Sequence, residues 1–324
     1  MPLSRRRRAL PLLILILVPP LAGCAGLAGR QPVHTVEVIA HRGASALAPE
    51  NTLAAFTRAA DLGADAIELD CRLTRDGQAA VIHDAALDRV NALGGEVASF
   101  PLAELQTIDV GSWFGPDWSD QTIPSLGQAL DLARDRGLGV YIEMKAEAEP
   151  AGLIDRLRGD YAGRGRLTRD ELARAVLLIE GFQSPTARLV RRVVEEVRAR
   201  GMEEQVLLQS FSPIACAVAL HAAPELPVFL IGESNPDLPA QWPEFVGWAR
   251  ALGVDGINVA ARDLTWQLLH EWHDAGARVG VWTVDDPERI RAAAALGVDA
   301  ITTNRPEVAL RVVGELGLRA RGGG

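Results

Sequence analysis

Three acidic side chains and one lysine lie in or beside short apolar runs of this sequence. Glu68 and Asp70 are two residues apart, and so are Glu143 and Lys145, the only lysine among the 324 residues. Side chains two apart in a β-strand point to the same face. Carboxylates on the inner face of a buried strand are unfavourable unless they are paired or bind a cation. Three carboxylates from two neighbouring strands would form an all-oxygen site, which suits Ca²⁺ or Mg²⁺ better than zinc.

A purely structural interpretation of the same residues is that Glu143 pairs only with Lys145, and Glu68 only with an arginine. Each pair taken alone is typical of such a role. Both pairs stand at strand ends that we expect to share one edge of a sheet, and together they favour a metal site.

Two histidines, His41 and His83, each directly follow an apolar run. A single histidine at a strand end is usually only a polar end group. Two of them beside a carboxylate cluster are better explained as a proton donor and a proton acceptor near neutral pH. Arg42 can form paired hydrogen bonds to phosphate oxygens. Asn51 could hold its loop or cap the helix that follows.

Short apolar runs and helical patterns alternate from residue 36 onward. Eight candidate strands separated by helical stretches predict a closed parallel barrel, the TIM (β/α)8 fold. A motif of leucine, glycine, one residue, aspartate, one residue and isoleucine occurs three times, at 62–67, 252–257 and 296–301. Each copy predicts a glycine at a helix end, followed by entry into a strand. The strands are expected at 36–41, 66–72, 139–145, 206–211, 227–232, 256–260, 278–284 and 300–303.

Two stretches interrupt the alternation. Residues 79–123 begin with an extra apolar run after the turn signal Asp76-Gly77, and we expect a small inserted subdomain over the barrel mouth. Residues 146–182 are irregular, and within them 176–179 could form an extra strand.

The net charge of −9 argues against a general nucleic-acid binder. An acidic protein with an anionic substrate needs a cation or a few placed basic residues. The three cysteines, Cys24, Cys71 and Cys216, give no disulfide framework.

The first 23 residues have the features of a secretion signal. Arg5–Arg8 are followed by an apolar stretch of about a dozen residues, which is short for a membrane span. Leu21-Ala22-Gly23-Cys24 resembles a bacterial lipobox, in which Cys24 would be lipidated and 24–35 would be a tether. The alternative is an uncleaved anchor with an incidental cysteine. Both interpretations place the rest of the chain, 36–318, outside the cytoplasm and attached to a bacterial membrane, facing the periplasm or the cell surface.

Eight short motifs occur in order between about residues 38 and 310. Taken together they resemble the glycerophosphodiester phosphodiesterase family. They are His41-Arg42-Gly43, Pro49-Glu50-Asn51-Thr52, Glu68-Leu69-Asp70, His83-Asp84 with Leu87-Asp88-Arg89, Ile142-Glu143-Met144-Lys145, Gln209-Ser210-Phe211, Val281-Trp282-Thr283-Val284-Asp285 and Thr302-Thr303-Asn304-Arg305-Pro306.

This resemblance implies a TIM barrel with a small insertion after the second strand, and hydrolysis of glycerophosphodiesters to sn-glycerol 3-phosphate and an alcohol. It also implies roles for individual residues. His41 and His83 would be the acid and base, Glu68, Asp70 and Glu143 would bind one divalent cation, Arg42 and Lys145 would contact phosphate, and Phe211 and Trp282 would line the pocket. The region 146–205 is longer than the family leads us to expect, which bears on substrate range.

Two alternatives remain open at this point. One is a lyase or phospholipase on the same barrel, which releases a cyclic phosphate or cleaves lysophospholipid. The other is a lipid-anchored protein that binds phosphodiesters without cleaving them. The second alternative expects a missing histidine or carboxylate, and none is missing. The choice between Ca²⁺ and Mg²⁺, the preferred alcohol and the oligomeric state do not follow from the sequence.

Overall fold

Eight parallel strands close into a barrel in the computed structural model, which describes residues 34–92, 94–161 and 163–319. A ninth, short strand runs antiparallel to the second one. The first strand pairs with both the second and the last, which closes the barrel. All eight predicted strands are present, so the predicted TIM (β/α)8 fold is confirmed. The strands are β1 (Glu37–Ala40), β2 (Ala66–Leu73), β3 (Ala79–Val81), β4 (Gly139–Met144), β5 (Val206–Ser210), β6 (Val228–Gly232), β7 (Gly256–Ala260), β8 (Arg278–Trp282) and β9 (Ala300–Thr303).

Helices cover the outside of the barrel and begin with side-chain caps at most of their first turns. Thr52, for example, accepts a hydrogen bond from the Ala55 backbone N–H at the start of the first helix. The helices are α1 (Leu53–Leu62), α2 (Leu102–Leu105), α3 (Leu126–Arg136), α4 (Leu153–Tyr161), α5 (Arg169–Gly181), α6 (Pro185–Arg200), α7 (Pro213–Ala222), α8 (Gln241–Leu252), α9 (Trp266–Asp274), α10 (Pro287–Leu296) and α11 (Pro306–Glu315).

The predicted extra strand at 176–179 is wrong, because these residues lie inside α5. A run of four apolar residues does not distinguish a strand from a buried helix segment. The deciding signal lies upstream, where Thr168 and Glu171 form a reciprocal capping box. Val176 and Ile179 are buried on one face of α5, whereas Leu177 is 67% exposed on the other.

The predicted signal peptide (1–23) and Cys24 lie outside the described residues, and so does most of the tether (24–35). His34, near the end of the tether, hydrogen-bonds through Nε2 to the Val298 carbonyl at 2.9 Å. In the described part of the chain, no helix is both long enough and apolar enough to cross a membrane.

The threefold motif forms the same joint each time at the N-terminal end of the barrel. A glycine in the left-handed conformation ends the helix, as Gly297 does with φ of 101°. The aspartate two residues later accepts the backbone N–H of a residue at the start of the preceding strand. These hydrogen bonds join Asp65 to Val38 at 2.8 Å, Asp255 to Val228 at 2.9 Å and Asp299 to Val279 at 2.7 Å.

The backbone of the same aspartates ties each joint to both neighbouring strands. Asp299 donates its N–H to the Val279 carbonyl of β8 and accepts the Glu37 N–H of β1 through its own carbonyl. Asp65 and Asp255 make the equivalent pair of bonds. Each copy of the motif therefore fixes the entry of one strand against two others.

The interior of the barrel changes character from bottom to top. Near the N-terminal end it is filled by an apolar cluster that includes Ile39, Tyr141, Leu207 and Phe229. Two residues further along, the inward positions of several strands carry polar side chains instead: His41, Glu143 and Gln209, together with Asn258 and Thr302. The lower layer is thus a packed plug, and the upper layer is a polar surface at the mouth.

Residues 79–123 begin with β3, which returns antiparallel along β2 after a turn at Gly77. Two short 3-10 helices follow, at Val97–Ser99 and Pro116–Trp118. Apolar side chains from along residues 79–123, among them Ile82, Leu87 and Leu105, form a cluster separate from the main core. Arg89 links this segment to the loop before α1 through hydrogen bonds to Glu50. The boundaries proposed for a subdomain at 79–123 stay a prediction.

Candidate active site

Three carboxylates meet at the C-terminal rim of the barrel, the end where TIM-barrel active sites lie. Glu68 and Asp70 come from β2 and Glu143 from β4, and the strand register pairs Asp70 directly with Glu143. One oxygen atom of each residue lies within 4.8 Å of the other two, and all three side chains are buried. The structure therefore brings together the three acidic residues that the sequence analysis singled out.

Burial and mutual repulsion set the protonation of this cluster. Burial raises the pKa of Glu68 well above its usual range, and the charges of Asp70 and Glu143 raise it further. Burial and the charge of Asp70 likewise raise the pKa of Glu143 to about 7. Burial would also raise the pKa of Asp70, but Lys145 and Arg42 outweigh it and hold that pKa below its usual range.

Two basic side chains lie against the carboxylates. Lys145 Nζ donates to Glu143 Oε1 at 2.6 Å and lies 3.2 Å from Asp70 Oδ1. The Arg42 guanidinium donates to Glu50 at 2.9 Å, and its Nε lies 3.3 Å from Asp70 Oδ2. Both side chains also line the cavity at the barrel mouth.

The donor set fits a divalent cation. Asp70 Oδ1 is buried and, among the described residues, accepts no hydrogen bond. The three ionised carboxylates would exceed Lys145 and Arg42 by one negative charge, and a phosphodiester would bring another. Buried excess charge of one sign is unfavourable, and a divalent cation among oxygen ligands reverses it. Glu68, Asp70 and Glu143 could hold such an ion.

His41 lies directly after β1, with its Nε2 4.0 Å from Glu68 Oε2. Its Nδ1 is 2.7 Å from Asn304 Oδ1. The Asn304 amide nitrogen donates to Asp285 at 2.7 Å, which turns the amide oxygen toward the imidazole. This chain of bonds places the proton on Nδ1 and leaves Nε2 with a free electron pair. Burial, and then Arg42, lowers the pKa of His41.

His83 lies just after β3 and has a charged partner instead of an amide. Its Nδ1 is 2.6 Å from Asp84 Oδ1, and Arg89 holds the other Asp84 oxygen. Arg72 donates to the His83 carbonyl at 2.7 Å and so fixes the backbone at this point. Burial lowers the pKa of His83, while Asp70 and Asp84 act in the opposite direction.

The loop between β1 and α1 has three consequences for the site. Arg42 has φ of 54°, and its backbone N–H donates to Glu68 Oε2 at 2.9 Å. Gly43 has φ of 82° and lies so close to Ala55 that a Cβ atom would meet its backbone at 2.6 Å. Asn51 donates to Asp70 Oδ2 at 2.8 Å and accepts the Asp70 N–H at 3.2 Å. Asn51 therefore holds the loop, and Thr52 is the helix cap.

A cavity of about 360 Å³ opens at the rim above these groups. His41 and His83 both line it, together with Arg42 and Lys145. Phe211 and Trp282 form the far wall, with their ring centroids 5.4 Å apart and the ring planes perpendicular. The lining thus combines charged side chains with a pair of aromatic rings.

Several residues of the site were not assigned a role from the sequence. Asn304, Asp285 and Glu50 stand in the quoted motifs, which was the available signal. The bond from Asn304 to His41 depends on closure of the barrel, whereas Glu50 binds Arg42 within the loop before α1. Gln209, Asn258 and Thr302 line the cavity floor, and Asn258 donates to Gln209 at 3.1 Å. Their inward positions follow from the two-residue period of the strands.

Comparison with known proteins gives consistent matches along the chain. Residues 41–156 and 179–308 match the model of the glycerophosphoryl diester phosphodiesterase family. The chain is 30% identical over 278 residues to a glycerophosphodiester phosphodiesterase of Caldanaerobacter subterraneus, covering 85% of this chain and 97% of that protein. It is 32% identical over 276 residues to a probable glycerophosphodiester phosphodiesterase 1 of Mycobacterium tuberculosis, covering 83% and 89%.

Solved structures show the same likeness. A phosphodiesterase of Oleispira antarctica, in complex with the product sn-glycerol-3-phosphate, superposes with a TM-score of 0.69 at 25% identity, covering 86% of this chain and 97% of that one. A putative glycerophosphoryl diester phosphodiesterase of Silicibacter pomeroyi also gives a TM-score of 0.69, at 28% identity, with 89% and 96% covered.

Proposed function

The chain belongs to the glycerophosphoryl diester phosphodiesterase family, and from this premise we propose that it hydrolyses glycerophosphodiesters to sn-glycerol 3-phosphate and an alcohol, with two histidines as acid and base and one divalent cation, Ca²⁺ or Mg²⁺. One observation carries the proposal. Three buried carboxylates lie within 4.8 Å of one another, and two of them, Glu68 and Glu143, line the same cavity as His41 and His83.

Glu68, Asp70 and Glu143 would hold the cation, with Asn51 orienting Asp70 through two hydrogen bonds. When bound, the cation supplies a Lewis acid for a non-bridging phosphate oxygen. Lys145 keeps one side of the carboxylate cluster positively charged. It thereby limits the number of carboxylate oxygens that can face the cation.

Arg42 and Lys145 would bind the phosphate group. Both are held by carboxylates on one side, so their remaining N–H groups are oriented toward the cavity before substrate arrives. Preorganised donors of this kind stabilise charge that develops on the phosphate oxygens in the transition state. The Phe211 and Trp282 rings, which meet edge to face, would confine the glycerol or alcohol portion.

His41 is the better proton acceptor of the two histidines. Its Nδ1 donates to a neutral amide and its Nε2 faces the cavity with a free electron pair. Its environment, through burial and Arg42, favours the neutral imidazole. We assign to His41 the removal of the proton from the attacking oxygen.

His83 is the better proton donor. Its Nδ1 donates to the Asp84 carboxylate, which stabilises an imidazolium far more than an amide does. We assign to His83 the transfer of a proton from Nε2 to the oxygen of the leaving alcohol. The attacking oxygen comes either from water or from the 2-hydroxyl of glycerol, and the second route passes through a cyclic phosphate that ³¹P NMR would detect during turnover.

An assay with glycerophosphocholine and glycerophosphoethanolamine tests the proposal. We expect release of choline or ethanolamine together with sn-glycerol 3-phosphate, loss of that activity after exhaustive chelation, and recovery on addition of Ca²⁺ or Mg²⁺. Full activity in the chelated protein would contradict the role of the carboxylates. Failure to cleave either substrate when a cation is bound would contradict the proposed reaction.

The N-terminal predictions complete the proposal. A chain that is lipidated at Cys24 would act on substrates at the outer side of a bacterial membrane. Mass spectrometry of the membrane fraction should find diacylated Cys24 as the first residue, and Cys24→Ser should release the protein from the membrane. An unmodified Cys24 in the membrane fraction would favour an uncleaved anchor instead.

A further inference from the structure

Arg89 lies in the segment that follows β3, and its side chain is 43% exposed. Its guanidinium donates to two carboxylates at once. Nε donates to Asp84 Oδ2, and the two terminal nitrogens donate to Glu50 Oε1 at 2.7 Å and to Glu50 Oε2 at 3.1 Å. A guanidinium presents its donors in a rigid planar fork, so it holds two carboxylates in a fixed relation that a single ammonium group would not impose. The proposed reaction assigns no role to this arginine.

Both carboxylates have a second partner in the active site. Glu50 Oε1 also accepts a hydrogen bond from Arg42 at 2.9 Å, and Asp84 Oδ1 lies 2.6 Å from His83 Nδ1. Five side chains thus form one unbroken series of contacts, here called the Arg89 network: Arg42, Glu50, Arg89, Asp84 and His83. One end of the network would bind the phosphate, and the other end would protonate the leaving alcohol.

The Arg89 network joins two parts of the chain that the sheet does not join directly. Arg42 and Glu50 belong to the loop between β1 and α1, whereas residues 83–89 follow β3. Among the described strands, β1 and β3 each pair with β2 and not with each other. The separation between the Arg42 guanidinium and the His83 imidazole therefore depends on side-chain contacts as well as on the sheet, and Arg89 supplies such a contact.

Positive and negative groups alternate along the Arg89 network. Burial would raise the pKa of Glu50, but Arg89 and Arg42 outweigh burial and lower that pKa. Burial acts in the same direction on Asp84, and His83 and Arg89 lower the pKa of Asp84 below its usual value. Both carboxylates are therefore ionised at neutral pH. Without Arg89, each carboxylate would keep a partner on one side only and would be free to turn away from it.

We propose that Arg89 is a positioning residue of this active site. Through Asp84 it holds the His83 imidazole toward the leaving alcohol, and through Glu50 it holds the Arg42 guanidinium toward the phosphate. Arg89 itself does not line the catalytic cavity, so it acts only through these neighbours. The inference rests on the proposed function, because both neighbours take part in the proposed reaction. The alternative is a surface ion pair that only attaches the segment to the barrel, and such pairs contribute little.

Two arginine substitutions form a matched pair for the first test. Arg89→Ala is compared with Arg75→Ala, which removes an exposed arginine that donates to the Ser99 carbonyl and lies 4.0 Å from Glu104. We expect Arg89→Ala to lower kcat for glycerophosphocholine by about 10- to 100-fold, less than the loss of His83 itself. Arg75→Ala should leave kcat unchanged. Equal kcat values for the two variants, with the wild type active, would overturn the inference and leave the proposed function intact.

The leaving group distinguishes a positioning role from a general loss of structure. A glycerophosphodiester of p-nitrophenol needs no proton from the enzyme, so Arg89→Ala should lose a smaller factor in kcat on that substrate than on glycerophosphocholine. Urea midpoints of Arg89→Ala and Arg75→Ala should lie close together, because each substitution removes a surface ion pair. An equal loss of kcat on both substrates would contradict the role of Arg89 at His83.

A double-mutant cycle tests whether the network links its two ends. Glu50→Gln and Arg89→Ala both break the connection between Arg42 and Asp84. The double variant should therefore have a kcat close to that of the less active single variant. If the two separate losses multiplied instead, Glu50 and Arg89 would act independently, and the proposed link would be contradicted.

NMR of the imidazole separates this inference from the proposed function, because it needs no substrate. Two-bond ¹H–¹⁵N spectra report which nitrogen of a neutral histidine carries the proton, and comparison with His83→Ala assigns the signals of His83. We expect the Nδ1–H form in the wild type and in Arg75→Ala, and a mixture of both forms in Arg89→Ala. If this pattern appears while no substrate is cleaved in the presence of cation, the positioning of His83 by Arg89 stands and the proposed reaction fails. The same form in all three proteins would overturn the inference.

Discussion

Acidic side chains stand at both ends of this barrel, and the two ends use them in opposite ways. At the N-terminal end, Asp65, Asp255 and Asp299 each accept a backbone N–H of the neighbouring strand. At the C-terminal end, Glu68 and Glu143 are buried beside Asp70, and their pKa values are raised by burial and by that neighbour. The carboxylates are hydrogen-bonded to the backbone at one end, and they repel one another at the other.

The difference shows which end of the barrel holds carboxylates that destabilise the folded state. A carboxylate that accepts a backbone N–H offsets part of the cost of burying its charge; burial raises the pKa of Asp65, and its hydrogen bond from Val38 acts in the opposite direction. A cluster of buried carboxylates does the reverse unless a cation binds. Unfavourable charge held in place by a rigid scaffold is typical of functional sites. The N-terminal end of the barrel, called here the lower rim, therefore stabilises the fold. The C-terminal end, the upper rim, destabilises it when no cation is bound.

The largest expected effect comes from Glu68→Gln at the upper rim. The amide keeps an oxygen to accept the Arg42 N–H but removes a charge from the proposed metal site. We expect activity to fall by about 10³-fold or more, because transition-state stabilisation of several kcal/mol is lost. We also expect the metal-free protein to be at least as stable as the wild type, and added Ca²⁺ or Mg²⁺ to stabilise it less. Activity and urea midpoints, each measured with and without cation, test both effects. A metal-free variant much less stable than the wild type would contradict the claim that the upper-rim carboxylates destabilise the metal-free fold.

The second effect distinguishes the two histidines. His41→Ala and His83→Ala should each lower turnover of glycerophosphocholine by about 10²- to 10⁴-fold with the cation still bound. A substrate with p-nitrophenol as its leaving group does not need a proton from the enzyme. His83→Ala should therefore recover most of its activity on that substrate, whereas His41→Ala should not. Recovery by His41→Ala instead would reverse the assignment of acid and base.

The third effect belongs to the lower rim. Asp299→Ala leaves the buried Val279 N–H without its side-chain acceptor and should lower the free energy of unfolding by about 1–3 kcal/mol. Asp299→Asn retains an oxygen acceptor and should lower the free energy of unfolding by a smaller amount. Urea denaturation measures both variants. Turnover per folded molecule should remain that of the wild type, and a loss of turnover would show that the two rims are not independent.

The sequence predicted the parts of the site that depend on local periodicity. The two-residue spacing of Glu68 and Asp70, and of Glu143 and Lys145, was enough to place these side chains on the inner face of their strands. Their convergence in one cluster then followed from the parallel barrel. The confirmed fold rests on the same periodicity, with the repeated joints marking three of the strand entries.

Contacts between distant parts of the chain could not be predicted in this way. The bond between His41 and Asn304 spans 263 positions and forms only because β1 pairs with β9. The two roles considered for Asn51 were equally compatible with its sequence, and only the position of Asp70 decides between them. The run at 176–179 was misassigned because its length and composition suit a strand as well as a helix.

The smallest effect concerns the pH dependence of stability in the metal-free protein. The pKa of Glu143 is raised to about 7 in the fold, so between about pH 4.5, where an unfolded glutamate titrates, and pH 7 the native state holds more protons than the unfolded state. The contribution of Glu143 to the free energy of unfolding therefore decreases as pH rises through that window.

The histidines have the opposite effect on stability, because burial lowers their pKa values. The contribution of Glu143 is therefore obtained as the difference in stability between wild type and Glu143→Gln. That difference should diminish when Ca²⁺ or Mg²⁺ is present, because bound carboxylates stay ionised. Urea midpoints at pH 5, 6 and 7 measure this difference. If the wild type without cation gained stability relative to Glu143→Gln as pH rises, the carboxylates of the upper rim would not be destabilising one another.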